Sequence, residues 1–163
     1  MAGDAKLIPK ELKTPLPQDF RLTYELVAAQ HFTWGAKGLT LLLANERLPG
    51  SAESYLQLKL RPGFDGKDGE AVIETRFPAG YQSGTKWLPA PGFSNNKQNN
   101  RITVSIRKAG ETLQVFIDSN KIAQYDKAIP AGLLFNAMSF FVLGSASEQN
   151  DKFYLSKIRI SRE

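Results

Sequence analysis

Apolar and polar residues alternate with a period of two along most of the chain. In Arg101 to Arg107, Ile102, Val104 and Ile106 fall on one face and Arg101, Thr103, Ser105 and Arg107 on the other, the pattern of a half-buried strand. Leu113 to Ile117 repeats it after Lys108-Ala-Gly-Glu111, whose glycine suits a hairpin turn. Asp118-Ser-Asn-Lys121 reads as a second turn, leading into a strand over Ile122 to Tyr125. The same reading predicts strands over Phe20 to Ala28, Leu39 to Asn45, Tyr55 to Leu60, Ala71 to Phe77, Met138 to Leu143 and Phe153 to Ile160, separated by Gly, Pro, Asn and Asp clusters. Leu39 to Leu43 and Met138 to Leu143 are almost continuously apolar, as expected of strands covered on both faces.

Nine such strands, with no alternation of strand and helix and no internal repeat, predict an all-β fold: a two-sheet antiparallel sandwich, with a closed barrel as the alternative. The long, regular first and last strands would lie side by side and bring the termini together, as suits a module inserted in a larger chain. Residues 1–15 read as a lead segment and 16–163 as a single domain. Pro78 to Asn100 breaks the rhythm. It is longer than most connections and rich in Gly, Pro, Asn and Ser, with one more short strand expected around Thr85 to Leu88.

Composition removes several classes of function. Among 163 residues there is no Cys, so thiolate metal sites, disulfide frameworks and cysteine nucleophiles are excluded together. A chain of this length buries roughly 70% of its unfolded surface and needs no such staple. The formal net charge is +5. Along the sequence the excess is thin: residues 1–100 carry 12 basic and 10 acidic groups, and residues 101–163 carry 9 and 6. That argues against a nucleic-acid partner, which needs a sharper stripe. The longest apolar runs are far short of a bilayer span, so no membrane insertion by this domain is expected.

Catalytic motifs are sparse. The one imidazole is His31, and neither a nucleophile elbow, a phosphate-cradling loop nor a dinucleotide fingerprint occurs. The sharpest enzymatic candidate is the pair Glu70 and Glu74, four apart and therefore on one strand face. Two carboxylates on one face are what a retaining glycosidase uses, though at roughly 5 Å separation; a solvated strand face is the competing reading. No cofactor is implied. Calcium is the open possibility, through Asp65 and Asp68 in Phe64-Asp-Gly-Lys-Asp-Gly-Glu70, a segment that equally reads as a simple turn. Trp34, Tyr81 and Trp87 lie beside Gly or Leu-Pro in the irregular segments, and Asn95 and Asn99 add amide donors nearby. Flat rings with neighbouring amides are the equipment for stacking on a sugar, and loop aromatics also plug sandwich ends.

Leu113-Gln-Val-Phe-Ile-Asp-Ser-Asn-Lys-Ile122 resembles the strand, short turn and strand of concanavalin A-like and laminin G-like sandwiches. Ile129-Pro-Ala-Gly-Leu-Leu-Phe-Asn136, Phe140-Phe-Val-Leu-Gly-Ser145 and Phe153-Tyr-Leu-Ser-Lys-Ile-Arg-Ile160 follow in order. That order is similar to the sandwich domain of OmpA-family cell-envelope proteins of Bacteroidetes-type bacteria, and the last segment to 3-keto-disaccharide hydrolase-like domains. The resemblance implies a jelly roll cut from a longer exported protein, placed in the periplasm, at the outer membrane or outside the cell. Its expected partners are a glycan or other envelope component and the parent's other domains. It carries over no catalytic residue. Three functions follow as expectations: a non-catalytic binding module using Trp34, Tyr81, Trp87, Asn95 and Asn99; a glycoside hydrolase using Glu70 and Glu74; or a structural spacer, in which Phe116 would line an exposed apolar patch.

Overall fold

The computed structural model describes residues 12–28, 38–46, 52–63, 67–78, 80–81, 84, 86–93, 100–143 and 153–163. They form ten strands and no helix: β1 (Phe20–Ala28), β2 (Gly38–Glu46), β3 (Ala52–Arg61), β4 (Gly69–Arg76), β5 (Leu88–Ala90), β6 (Arg101–Ala109), β7 (Thr112–Ile117), β8 (Asn120–Tyr125), β9 (Ala137–Leu143) and β10 (Phe153–Arg162). Two five-stranded sheets, ordered β10-β1-β6-β7-β8 and β5-β4-β3-β2-β9, pack face to face. All pairings are antiparallel, so the architecture is the sandwich and not the closed barrel. The expected pairing of first and last strands holds, since β1 runs beside β10 from Phe20↔Arg162 to Ala28↔Phe153.

Alternation decides which residues fill the space between the sheets. Leu22, Tyr24 and Leu26 of β1 and Ile102, Val104 and Ile106 of β6 meet Leu39, Leu41 and Leu43 of β2 and Leu56, Leu58 and Leu60 of β3, all buried. The interior strand β2 is buried on its outer face too, at Thr40 and Ala44, in keeping with its apolar run. The short strand in the long connection forms at Leu88–Ala90, about three residues later than its sequence suggests. Trp87 therefore leads into β5 and is not inside it.

Two hairpins follow from local chemistry. Gly110 takes a left-handed backbone, φ 57°, between β6 and β7, where a side chain would be strained. Asp118 adopts φ 53° between β7 and β8. Its carboxylate accepts the Thr103 N–H at 2.9 Å while its own N–H donates to Thr103 O at 2.7 Å, so the turn is fastened to β6. Lys108 is the unexpected core residue. It continues the inward face of β6 and is fully buried, donating from Nζ to Gln18 O at 2.6 Å and Ala131 O at 3.4 Å. Burial pulls its pKa down, opposed by Asp19.

Candidate functional site

The outer face of the β5-β4-β3-β2-β9 sheet carries the densest set of chemically useful side chains. On β3 the strict alternation in Tyr55-Leu-Gln-Leu-Lys-Leu-Arg61 sends Leu56, Leu58 and Leu60 to the core and Gln57, Lys59 and Arg61 outward. Register then sets their neighbours: Lys59 stands between Thr40 of β2 and Val72 of β4, Gln57 between Leu42 and Glu74, and Arg61 beside Glu70. Because Leu88 pairs with Ala71, Trp87, one residue earlier, comes alongside Val72.

Thr40, Gln57, Lys59, Val72 and Glu74 line a depression of about 160 Å³. Its floor is apolar at Val72, and its walls offer an ammonium, a carboxylate and an amide. Thr40 Oγ1 is buried there with no hydrogen-bond partner among the described residues. Trp87 is 36% exposed. The Arg61 guanidinium carbon lies 3.9 Å from its ring centroid and Lys59 Nζ 5.6 Å away, both within cation–π range. Arg61 Nε donates to Glu70 Oε2 at 2.7 Å, and Nη2 donates to the same oxygen. Burial lowers the Lys59 pKa, the Arg61 charge lowers it further, and Glu74 works against both.

The structure separates several of the expected residues. Trp34, Asn95, Asn99, Asp65 and His31 lie outside the described residues. Tyr81 and Trp87 are not brought together. Tyr81 follows the far end of β4, its hydroxyl donating to Glu111 Oε1 at 2.7 Å, its ring edge-on to Phe77, and Lys127 Nζ 5.5 Å from its centroid. The bond to Glu111 raises its pKa. Glu70 and Glu74 do share the outer face of β4, but Glu70 is engaged by Arg61 while Glu74 stands at the depression. Asp68 Oδ1 accepts the Gly92 N–H at 3.0 Å, tying the start of β4 to the residues after β5, and no group of three or more His, Cys, Asp or Glu suited to a metal occurs among the described residues. Phe116 is half-buried between Ser105 and Lys121 and lines no exposed patch. Among the described residues, the large exposed apolar side chains are Trp87, Leu134, Tyr154, Ile158 and Ile160.

Gln57, Lys59, Arg61 and Thr40 were not among the residues expected from sequence. The available signal was the alternation of β3, which placed three polar side chains on one face. What it lacked was the register that sets them against β4 and Trp87.

No protein-family model matches the sequence, and none of the curated proteins matches it. Solved structures do match over nearly the whole chain. Congerin II bound to lactose and MES has a TM-score of 0.51 at 10% identity, covering 97% of this chain and 99% of its own. CG-16, a homodimeric agglutinin from chicken liver, reaches 0.57 at 9% identity, covering 93% and 97%. A tetrameric galectin from the ball sponge Cinachyrella sp. reaches 0.54 at 14% identity, covering 98% of each chain. At these identities the likeness is one of fold, and this chain has the concanavalin A-like jelly-roll sandwich that those galectins share.

Proposed function

We propose that this chain is a non-catalytic glycan-binding module whose sugar site is the depression beside Trp87. The observation that carries the reading is a depression lined by Val72 and by Thr40, Gln57, Lys59 and Glu74, whose Lys59 reaches to 5.6 Å from the Trp87 ring centroid. A pyranose presents an apolar C–H face and a rim of hydroxyls, so it pairs a flat ring and Val72 with donors and acceptors of both kinds. In this reading the Lys59 ammonium donates to ring or hydroxyl oxygens, Glu74 accepts from hydroxyls, and the Gln57 amide does either. Arg61, held by Glu70, sets the attitude of the Trp87 ring. The lactose-liganded congerin II and the chicken agglutinin among the structural neighbours support a sugar as the ligand class.

The module further belongs, on this proposal, to an exported bacterial envelope protein, in the periplasm, at the outer membrane or outside the cell, with other domains as additional partners. Its support is the order of the segments from Leu113 to Ile160. Trp34, Asn95 and Asn99, outside the described residues, stay candidates for sugar contact on their residue types alone. A glycan array probed with wild type and Trp87→Ala tests the reading, with signal on defined glycans expected from the first and loss from the second.

A further inference from the structure

The net charge that is thinly spread along the sequence is concentrated in space. On the outer face of the β10-β1-β6-β7-β8 sheet, Arg21, Arg101, Arg107, Lys121, Lys157 and Arg159 meet, among the described residues of the strands and Glu163 just after β10, the carboxylates Glu25 and Glu163. Six cations against two anions leave an excess of four, close to the +5 of the whole chain. On β3 and β4 of the opposite face, Lys59, Arg61 and Arg76 face Glu70 and Glu74 and nearly balance. Asp118 and Asp126, at the turns bounding β8, bond to Thr103 and Gln124 of the first sheet, and counting them as well reduces its excess to two.

The cations are ordered. Glu163 bridges two neighbours, accepting Arg21 Nε at Oε1 and Arg107 Nε at Oε2, each at 2.8 Å; Arg21 and Arg107 stand directly opposite each other on β1 and β6. Glu25 likewise holds Arg101 and Lys157, the latter at 3.0 Å. Each carboxylate thus fixes two cations and neutralises half their charge. Beside the Arg21–Arg107 pair runs one register row across all five strands, Arg159–Thr23–Ser105–Phe116–Lys121. At about 4.8 Å between strands the row spans roughly 19 Å, with a cation at each end and two hydroxyl side chains between.

We propose that this face binds an acidic polysaccharide, laid across the strands along that row. Pre-oriented guanidinium groups suit repeated sulfate or carboxylate groups, because the Arg fork matches oxyanions and loses little freedom on binding. The intervening Thr23 and Ser105 hydroxyls suit a sugar chain. A nucleic acid fits less well: Phe116 in the row is half-buried, the exposed Tyr154 ring on this face stands off the row, beside Val27 and four residues along β1 from Thr23, and among the described residues no helix projects from the sheet to enter a groove. The inference does not rest on the Trp87 site, which lies on the other sheet.

The test compares two variants of equal net charge, Arg159→Glu on this face and Arg76→Glu on the other, both at exposed residues. Binding to heparin as the sulfated probe, and to polygalacturonate as the carboxylate probe, is measured against salt concentration, with duplex DNA alongside. Wild type is expected to bind one or both polysaccharides with a steep salt dependence. Arg159→Glu should reduce the slope of log K against log salt by about 1 or more, while Arg76→Glu leaves it within error. Equal losses in the two variants would show attraction by net charge alone and overturn the proposal. So would tighter binding to duplex DNA than to either polysaccharide, or no binding to either at low salt. Loss of signal for Trp87→Ala on neutral glycans would leave this result untouched, so the two sites fail separately.

Discussion

The Arg61 guanidinium lies 3.9 Å from the centroid of the Trp87 ring while its Nε is bonded to Glu70 Oε2 at 2.7 Å. Trp87 belongs to no strand, and the guanidinium held by Glu70 is one of the two cations, with Lys59, that pack on its ring. Arg61→Ala should therefore weaken sugar binding even if Arg61 touches no sugar, and should leave Glu70 without its partner. The expected loss is about tenfold, near 1.4 kcal/mol. Trp87→Ala should lose more, with a melting temperature close to wild type because Trp87 is 36% exposed. Titration calorimetry with the best array ligand and a thermal melt separate the two effects; a Trp87→Ala variant that binds normally would remove the ring from the site.

Thr40 gives a test that separates fold from function. Its hydroxyl is buried without a partner among the described residues, and an unpaired buried hydroxyl costs stability. Thr40→Val should hold or raise the melting temperature. If the hydroxyl is completed by a sugar, the same variant should bind several-fold more weakly. A melting temperature lowered by more than about 3 °C, or about 1 kcal/mol for a chain of this size, would show that the hydroxyl has a partner in the free protein.

Tyr24 makes a second prediction of the same kind without ligand. Its ring packs edge-on to Phe140, 5.2 Å between centroids, and its hydroxyl is buried with no partner among the described residues. Tyr24→Phe should be neutral or stabilising by up to about 1 kcal/mol.

Burial raises the Tyr24 pKa far above its usual value near 10. In the unfolded chain the phenol loses its proton above pH 10 and in the folded chain it keeps it. The native state then binds more protons, and stability falls as pH rises through that range. Denaturant melts at pH 9 and pH 11 should show a smaller alkaline loss for Tyr24→Phe than for wild type. Equal losses would contradict the burial of the phenol.

Lys108 is the opposite case, a buried charged group with two backbone carbonyls and the Asp19 carboxylate as partners. Lys108→Met keeps most of the stem but strands the Gln18 and Ala131 carbonyls that Nζ reaches, and should cost about 1–3 kcal/mol. A neutral or stabilising result would mean that water or backbone rearrangement replaces the ammonium readily.

How these features could be read from the sequence differs case by case. β1 runs from Phe20 to Ala28 as its alternation implies, and β6, β7, β9 and β10 lie within two residues of theirs, because period two is a local property of the chain. Tyr24 was equally legible, two residues from Leu22 and Leu26 on the same inward face. Lys108 was harder. It continues the parity of Ile106 but has a charged tip, and only the 17–19 and 130–131 segments, distant in sequence, supply carbonyls for it. The charge distribution was misleading for a related reason: counts along the chain cannot see that Arg21, Arg107 and Arg159 come from three strands that pairing sets side by side. The site itself needed register. Nothing local joins Lys59 to Thr40, Val72 and Trp87, whereas Trp87 and Glu74 stood out by residue type alone.

The central claim is that the Trp87 depression binds a sugar, and the most direct measurement is a glycan-array screen of wild type, with and without calcium, followed by calorimetric titration of the best ligand. Saturable one-to-one binding that Trp87→Ala abolishes, in a variant that melts as wild type does, is the predicted result. Silence across neutral and acidic glycans at high protein concentration would contradict it.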